Sequence, residues 1–397
     1  MKLAKRVSQI SPSPTLSMTA EAKAMAARGI DVIDFASGEP DFDTPAPIQE
    51  AGIAAIRNGF TKYTATGGTD DLKQAVIEKL RRDQGLSYEK GQILISCGAK
   101  HSLYNLAQAL FEAGDEVIIP SPYWVSYPDQ VLLNEATPIF VRTSEKTGFQ
   151  LTSDILEPHL TSRTKALVLN SPGNPTGAIC ERRTLEVIAK IAVERGILII
   201  SDEIYEKIIY DGVEHISIAS LGADVQAQTV VVNGVSKAYS MTGWRIGYAA
   251  GPLALIAAMG TVQSQSTSNP NSIAQKAAVA ALQGKDDCIT EMVAEFDKRR
   301  RFIVERLNEI PGIECPMPSG AFYVFPSVGR LLGRTSPHGP IRSSAHLASY
   351  LLKEARVATV PGEAFGAPAH LRFSYAISIR KIDEGMERIE AAVLRLS

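Results

Sequence analysis

The stretch Ser236-Lys237-Ala238-Tyr239-Ser240-Met241-Thr242-Gly243-Trp244-Arg245-Ile246-Gly247 decides the reading of this chain. It sets one lysine in a small, mostly uncharged segment and an arginine eight positions later, just ahead of the apolar run 246–250. A lysine by itself is most often a solvated surface cation. Here Val230-Val231-Val232 precedes it and reads as a buried strand, which delivers Lys237 to the interior end of a sheet. A desolvated lysine has a lowered pKa and forms a Schiff base with an aldehyde. Arg245 offers a planar, permanently charged fork suited to a phosphate. An aldehyde and a phosphate on one small molecule point to pyridoxal 5′-phosphate as cofactor.

Outward from that stretch, short apolar runs alternate with amphipathic ones. The pattern predicts strands over 93–96, 116–119, 138–141, 166–170, 197–201, 229–232 and 246–249, with helices over 101–111, 181–195 and 272–283. Strands separated by helices imply an α/β unit with a mainly parallel seven-stranded sheet covered on both faces. Ligands of such sheets gather beyond the carboxyl ends of the strands, where Asn170, Ser201 and Asn233 stand. A long charged helix over 286–309 leads to a smaller α+β unit, with strands at 321–325, 357–360 and 370–375 and helices at 344–354 and 381–396. The stretch 327–344, rich in Gly, Ser, Pro and Arg, reads as a mobile loop. The expected division is a large cofactor-binding domain over 48–288, with 1–47 and 289–397 forming the small domain.

Length and composition agree. The 397 residues exceed one simple core, and 45% hydrophobic with 21% charged residues describes an ordinary globular protein. A net charge of −2 gives no electrostatic reason to expect nucleic acid or an anionic membrane as partner. No apolar run reaches the roughly 18 residues of a spanning helix, and 1–17 lacks the apolar core of a signal peptide, so a cytoplasmic location is expected. Cys97, Cys180, Cys288 and Cys315 lie far apart and suit buried free thiols rather than disulfides or zinc. The six histidines are equally scattered, and no metal site is expected.

Further motifs surround the lysine. Asn170-Ser171-Pro172-Gly173-Asn174-Pro175-Thr176-Gly177 follows a strand and, alone, signals a turn. Ser201-Asp202-Glu203-Ile204-Tyr205 also follows a strand, where a carboxylate commonly caps a helix. In Ser96-Cys97-Gly98-Ala99-Lys100 a strand gives way to a helix whose free N–H groups suit phosphate. The absence of GxGxxG and GxxxxGK[ST] argues against a dinucleotide or P-loop nucleotide. Pro120-Ser121-Pro122-Tyr123-Trp124, Leu371-Arg372-Phe373-Ser374-Tyr375, Ala36-Ser37-Gly38-Glu39-Pro40-Asp41-Phe42 and Lys62-Tyr63-Thr64 complete the set.

In this order, over 8–395, the motifs resemble those of the class I, fold-type I aminotransferases, and most closely the bacterial aspartate aminotransferase subgroup. The resemblance implies that Lys237 bonds pyridoxal 5′-phosphate and moves protons, and that Asp202 pairs with its pyridine nitrogen. It implies that Asn174 and Tyr205 donate to the phenolic oxygen and that Trp124 stacks on the ring. Gly98, Ala99, Lys100 and Arg245 would hold the phosphate, helped by Tyr63 from a neighbouring subunit, which implies a homodimer with shared active sites. Gly38 would meet the substrate and Arg372 its α-carboxylate. The other aspartate aminotransferase subgroup binds the distal carboxylate with a partner-chain arginine, but 263–271 contains neither Arg nor Lys. Lys100 is the expected replacement, with Arg142 or an arginine of 327–344 as alternatives. Ser11 stands where some subgroup members carry a lysine, which argues against bulky dicarboxylates such as prephenate. Gly234 replaces a family serine of the phosphate site, leaving Ser236 as a substitute.

The expected activity is transfer of the amino group of L-aspartate or L-glutamate to a 2-oxoacid such as 2-oxoglutarate, by a ping-pong mechanism. Alternatives on the same fold are an aromatic or broad-specificity aminotransferase, a carbon–sulfur β-lyase or a cyclopropane-forming synthase. A regulator's ligand-sensing module would need a basic helix-turn-helix domain, for which the chain has no residues to spare.

Overall fold

The structure, a computed structural model, describes residues 3–10, 12 and 14–397. Helix Pro14–Ala26 leads to strand β1 (Ile33–Asp34). The central run then supplies β2 (Ile93–Ser96), β3 (Glu116–Ser121), β4 (Thr137–Arg142), β5 (Thr164–Asn170), β6 (Leu198–Asp202), β7 (Thr229–Gly234) and β8 (Gly247–Ala250). These seven form one sheet in the order β2-β8-β7-β6-β5-β3-β4. From β7 to β4 all neighbours are parallel, whereas β8 runs antiparallel to both β7 and β2. The expected strands are therefore present, with ends shifted by about two residues at most.

Both faces of the sheet are apolar because both are covered. Val117 and Ile119 of β3 pack with Leu103 and Leu106 of helix Ala99–Leu110, while Ile118 between them packs with Leu185 and Ile188 of helix Arg182–Arg195. The period-2 alternation thus runs between two cores rather than between core and water, and the sequence shows it as unbroken β-branched runs. Helix Arg182–Arg195 ends where Gly196 takes φ 66° and its N–H reaches the Ala192 carbonyl. Because β3, β5, β6 and β7 are parallel, Ser121, Asn170, Asp202 and Gly234 end on one edge.

The C-terminal part adds β9 (Tyr323–Val324), β10 (Thr335–Ser336), β11 (Gly339–Pro340), β12 (Val357–Ala358), β13 (Val360–Pro361) and β14 (Leu371–Ser374). Strands β13, β14 and β9 form a small antiparallel sheet, and β1 pairs in parallel with β12. Phe296, Ile303 and Leu307 of the 23-residue helix Asp287–Glu309 share a core with Phe373, Ile389 and Phe35, so the N-terminal segment packs with the C-terminal third. Arg300 of that helix is fully buried. It donates to both carboxylate oxygens of Asp211 (2.8 and 2.9 Å) and to the Pro318 carbonyl (2.7 Å), tying the long helix to the loop after Tyr210.

Three expectations change here. The run 357–360 breaks at Thr359 into two strands with different partners, because the chain switches from β1 to β14. The stretch 327–344 holds a one-turn helix, Gly329–Leu331, and the β10–β11 hairpin, anchored by buried Leu331 and Ile341, rather than a plain loop. Of the four thiols only Cys315 is fully buried; Cys97, Cys180 and Cys288 are partly exposed, and all are free. Among the described residues no helix is long and apolar enough to cross a membrane.

Gly247 shows how tightly the sheet meets the helix that starts at Ala99: a Cβ there would overlap the backbone of Gly98 and Ala99. Gly247→Ala should cost ~1–3 kcal/mol through backbone displacement. Urea unfolding of the two proteins checks this, and the displaced helix start should also weaken phosphate binding.

Candidate active site

A cavity of about 350 Å³ opens on the carboxyl edge of the sheet, between it and the small C-terminal sheet. Its walls include Lys237, Asp202, Asn174, Arg372, Trp124 and Lys100, which come from five separate motifs and the lysine stretch. Gly38, Ala99, Tyr205, Ser236 and Arg245 also line it. Strand ends and the loops that follow them thus bring residues as far apart as Gly38 and Arg372, 334 positions, onto one surface.

Asp202 ends β6 and is 4% exposed. Its Oδ2 accepts from the Tyr127 hydroxyl at 2.7 Å, and its Oδ1 from the Ile204 N–H at 3.3 Å. Burial pushes its carboxyl up to about 6, and the tyrosine hydrogen bond pulls against that. Asn170 fastens the neighbouring strand end: its Nδ2 donates to the Asp202 carbonyl (3.0 Å) and its Oδ1 accepts from the Asn174 N–H (2.8 Å).

Lys237 follows β7 by three residues, and its Nζ donates to the Gly38 carbonyl. Burial, the largest influence, brings the ammonium down to about 8. A Cβ at Gly38 would lie 2.9 Å from the Tyr323 hydroxyl, so the segment approaches closely because it lacks a side chain. The same segment is held by Thr44, whose hydroxyl donates to the Ser240 carbonyl (2.7 Å) and accepts from Trp244 Nε1 (2.9 Å).

At the other end, Gly98 precedes helix Ala99–Leu110 with φ 90°. A Cβ there would lie 2.5 Å from Arg245 Nη2, so glycine alone lets the guanidinium close over the helix start. Arg245 itself takes φ 56°, and its guanidinium donates to the Thr242 (3.0 Å) and Cys97 (3.2 Å) carbonyls. Two backbone amides at a helix start beside a fixed guanidinium form a cradle for a dianion. Ser236 lines the cavity; at Gly234 a Cβ would meet the Ile246 carbonyl at 2.9 Å, leaving no room for a serine.

Arg372, on β14, is 1% exposed. It donates to Asn174 Oδ1 (3.0 Å) and the Ala36 carbonyl (2.7 Å), stacks on the Tyr323 ring with its charge 4.5 Å from the centroid, and leaves Nε without a partner. Tyr323 also meets the Tyr205 hydroxyl at 2.8 Å. Lys100 sits near the mouth with Nζ 4.8 Å over the Trp124 ring. Burial and Arg245 lower its pKa, although part of the residue is exposed.

Tyr63 is 92% exposed and does not line the cavity of the single chain. Arg142 ends the edge strand β4, and neither it nor an arginine of 327–344 lines the cavity. Ser11 lies outside the described residues. Sequence reasoning misses Tyr127 and Tyr323. Tyr127 stands three residues after Trp124, just inside helix Ser126–Leu132, and its ring meets Trp124 edge to face with centroids 5.3 Å apart, whereas Tyr323 is found only from the tertiary contact.

A sheet of this topology with such a cavity defines the fold-type I class of cofactor enzymes. The chain belongs to the aminotransferase class I and II family, whose sequence pattern matches residues 30–389. It is 49% identical to the aspartate aminotransferase of Bacillus sp. strain YM-2, covering 98% of this chain and 99% of that one. It is 48% identical to the aspartate/prephenate aminotransferase of Nitrosomonas europaea, covering 98% and 99%. The crystal structure of the aspartate aminotransferase from Rhizobium meliloti superposes with a TM-score of 0.96 at 45% identity over the full length of both chains. That of the Thermus thermophilus enzyme with maleate does so at 0.93 and 39% identity, over 99% and 100%.

The enzyme is a transaminase and its cofactor is pyridoxal 5′-phosphate. The residues present fit that group: a carboxylate for a ring nitrogen, a lysine for an aldehyde, and the Gly98 cradle for a phosphate.

The lowered lysine pKa gives a directional test. Below about pH 8 Lys237 holds its proton and is unreactive, and above it the free amine predominates. Capture of the aldehyde by the apoprotein should therefore accelerate from about pH 6.5 through 8 and level off above about 9. Stopped-flow absorbance measures the rate, and a flat profile would contradict the assignment of Lys237.

Proposed function

We propose that the chain transfers the amino group of L-aspartate, or of L-glutamate, to a 2-oxoacid such as 2-oxoglutarate by a ping-pong mechanism. The convergence of Lys237, Asp202 and Arg372 on one cavity carries this reading. The Bacillus and Rhizobium relatives, both aspartate aminotransferases, support the donor. Bound pyridoxal 5′-phosphate supplies an aldehyde that accepts amino groups and a ring that accepts the electron pair released at the substrate Cα.

The residues divide the remaining work. Asp202, ionised above about pH 6, keeps a positive charge on the ring nitrogen by attraction in a dry site. Asn174 has its Oδ1 held by Arg372, which turns its amide nitrogen toward the ring oxygen. The Tyr205 and Tyr323 hydroxyls share one hydrogen bond in which either can donate, and with Tyr323 as donor the Tyr205 proton serves the same ring oxygen. Trp124 covers a ring face. The backbone of Gly98, Ala99 and Lys100 and the Arg245 guanidinium hold the phosphate, together with Tyr63 of a second copy, whose exposure in the single chain supports a homodimer with shared sites. Arg372 binds the α-carboxylate bidentately, which stands the Cα–H bond across the ring plane. Lys237 then takes the proton from Cα, and the amine of a buried lysine near pH 8 is well matched to that task. Lys100 meets the distal carboxylate beside Gly38. The enzyme works in the cytoplasm, with residues 48–288 as the cofactor domain and 1–47 with 289–397 as the small domain.

A carbon–sulfur lyase would share Lys237, Asp202 and Arg245 but release ammonia and pyruvate without an acceptor. Product analysis with aspartate and 2-oxoglutarate separates the two. Lys237→Ala should leave a folded protein that binds cofactor weakly and loses orders of magnitude in kcat. Borohydride fixation followed by peptide mapping should label Lys237 alone, and a label on another lysine would overturn the site.

Specificity gives a split. Arg372→Ala should damage every amino donor, since all carry the α-carboxylate. Lys100→Ala should damage aspartate and glutamate and spare phenylalanine, by ~1.5–3 kcal/mol, or about ten- to a hundredfold in kcat/KM. Equal losses for aspartate and phenylalanine would make Lys100 structural and remove the dicarboxylate assignment.

A further inference from the structure

Behind Asp202 lies a second polar cluster that the reaction as described does not use. Glu203, next in the chain, is 1% exposed and lies outside the cavity lining. Its Oε1 accepts from the hydroxyls of Ser201 (2.8 Å) and Ser217 (2.7 Å). Its Oε2 accepts from Gln84 Nε2 (3.0 Å) and meets His215 Nε2 at 3.1 Å. Four partners saturate the carboxylate. The His215 side chain is 7% exposed, and its Nδ1 has no partner.

The charges decide what the cluster can do. Buried Lys79 pairs with Glu206, so that pair is neutral. Among the described residues hydrogen-bonded to Glu203, only His215 can carry positive charge. The groups facing His215 are Glu203, Glu206 and Lys79; those facing Glu203 include Tyr88 and Tyr248 as well. Asp202 is faced by Tyr127, Tyr205, Lys237 and Glu203. Burial is the largest influence on both and opposes both charges, but the partners together outweigh it: His215, Ser217 and Ser201 hold the Glu203 carboxyl below its ordinary value, and Glu203 with Glu206 holds the His215 imidazole above its own. An uncompensated Glu203 would set a second negative charge beside Asp202 and behind an anionic cofactor, which a low-dielectric site penalises. Glu203, Glu206 and His215 also have the donor types of a cation site, but Lys79 already supplies the positive charge at Glu206.

We propose that Glu203 and His215 are positioning residues for Asp202: a buried, self-neutralised ion pair that pins the end of β6 and cancels the negative charge next to the cofactor's nitrogen partner. This rests on the reading of Asp202 given above. The pair touches neither cofactor nor substrate and acts through the strand end and through charge.

The test is equilibrium binding of pyridoxal 5′-phosphate to the apoprotein at about pH 6.5, where an imidazole raised above its ordinary value is mostly charged. His215→Gln keeps a donor near the Nε2 position but removes the charge, and should weaken binding roughly tenfold. The double variant Glu203→Gln with His215→Gln carries no charge at all and should return to within about twofold of the native affinity. A merely structural pair gives the opposite, with the double variant as weak as the single one or weaker. Unchanged affinity in His215→Gln, or no recovery in the double variant, overturns the proposal. Nitrogen-15 NMR of the native apoprotein needs no variant to fold. A histidine with both ring nitrogens protonated at this pH, assigned to His215 by its loss in the double variant, supports the pair, and a neutral tautomer overturns it. Asp202→Asn separates the two readings: unchanged affinity there removes Asp202 from the site, whereas a loss there with none in His215→Gln removes only the ion pair.

Discussion

A carboxylate buried at the end of a parallel strand is the constraint around which the rest of the site is arranged. Asp202 has one tyrosine hydroxyl and one backbone N–H for partners, and burial alone would favour its neutral form. It stays useful as an anion above about pH 6 because Tyr127 and the Ile204 N–H donate to it and because the Lys237 ammonium faces it. Every other element either holds that strand end, as Asn170 and Glu203 do, or places a group of the opposite sign within reach, as Lys237 and Arg372 do.

The parallel sheet explains why such a site can be built at all. Parallel strands finish on one edge, so Ser121, Asn170, Asp202 and Gly234 deliver their following loops to the same place. The antiparallel β8 then returns beside β7, which brings Gly247 against the start of helix Ala99–Leu110 and Arg245 over Gly98. The small sheet closes the other side by supplying Arg372 and Tyr323, and the Gly38 segment bridges both: its Gly38 and Ala36 carbonyls accept from Lys237 and Arg372, and Thr44 donates to the Ser240 carbonyl. The cavity is thus walled by pieces that cannot be neighbours in sequence.

Local sequence determined a good deal of this. Unbroken β-branched runs such as Val230-Val231-Val232 admit one kind of strand, buried on both faces, and several such strands with intervening helices admit few sheets. The motifs at their carboxyl ends then fall on the ligand edge, which is why Lys237, Asp202 and Asn174 were legible as a group. Arg372 was legible only through its company, because an arginine in a short alternating strand carries no local sign of being 1% exposed.

What the tertiary structure alone decided are the contacts that span folding units. Thr359 divides what reads as one strand, because β12 and β13 answer to different partners, and 327–344 is ordered by burying Leu331 and Ile341 in a core that local composition does not reveal. Tyr323 stands 118 positions from Tyr205, and Gln84 119 positions from Glu203, so neither pairing leaves a periodic trace. Sequence specifies which faces are apolar and where strands must end. Which buried polar groups then meet, and so which of them remain charged, depends on packing between elements that only the folded chain brings together.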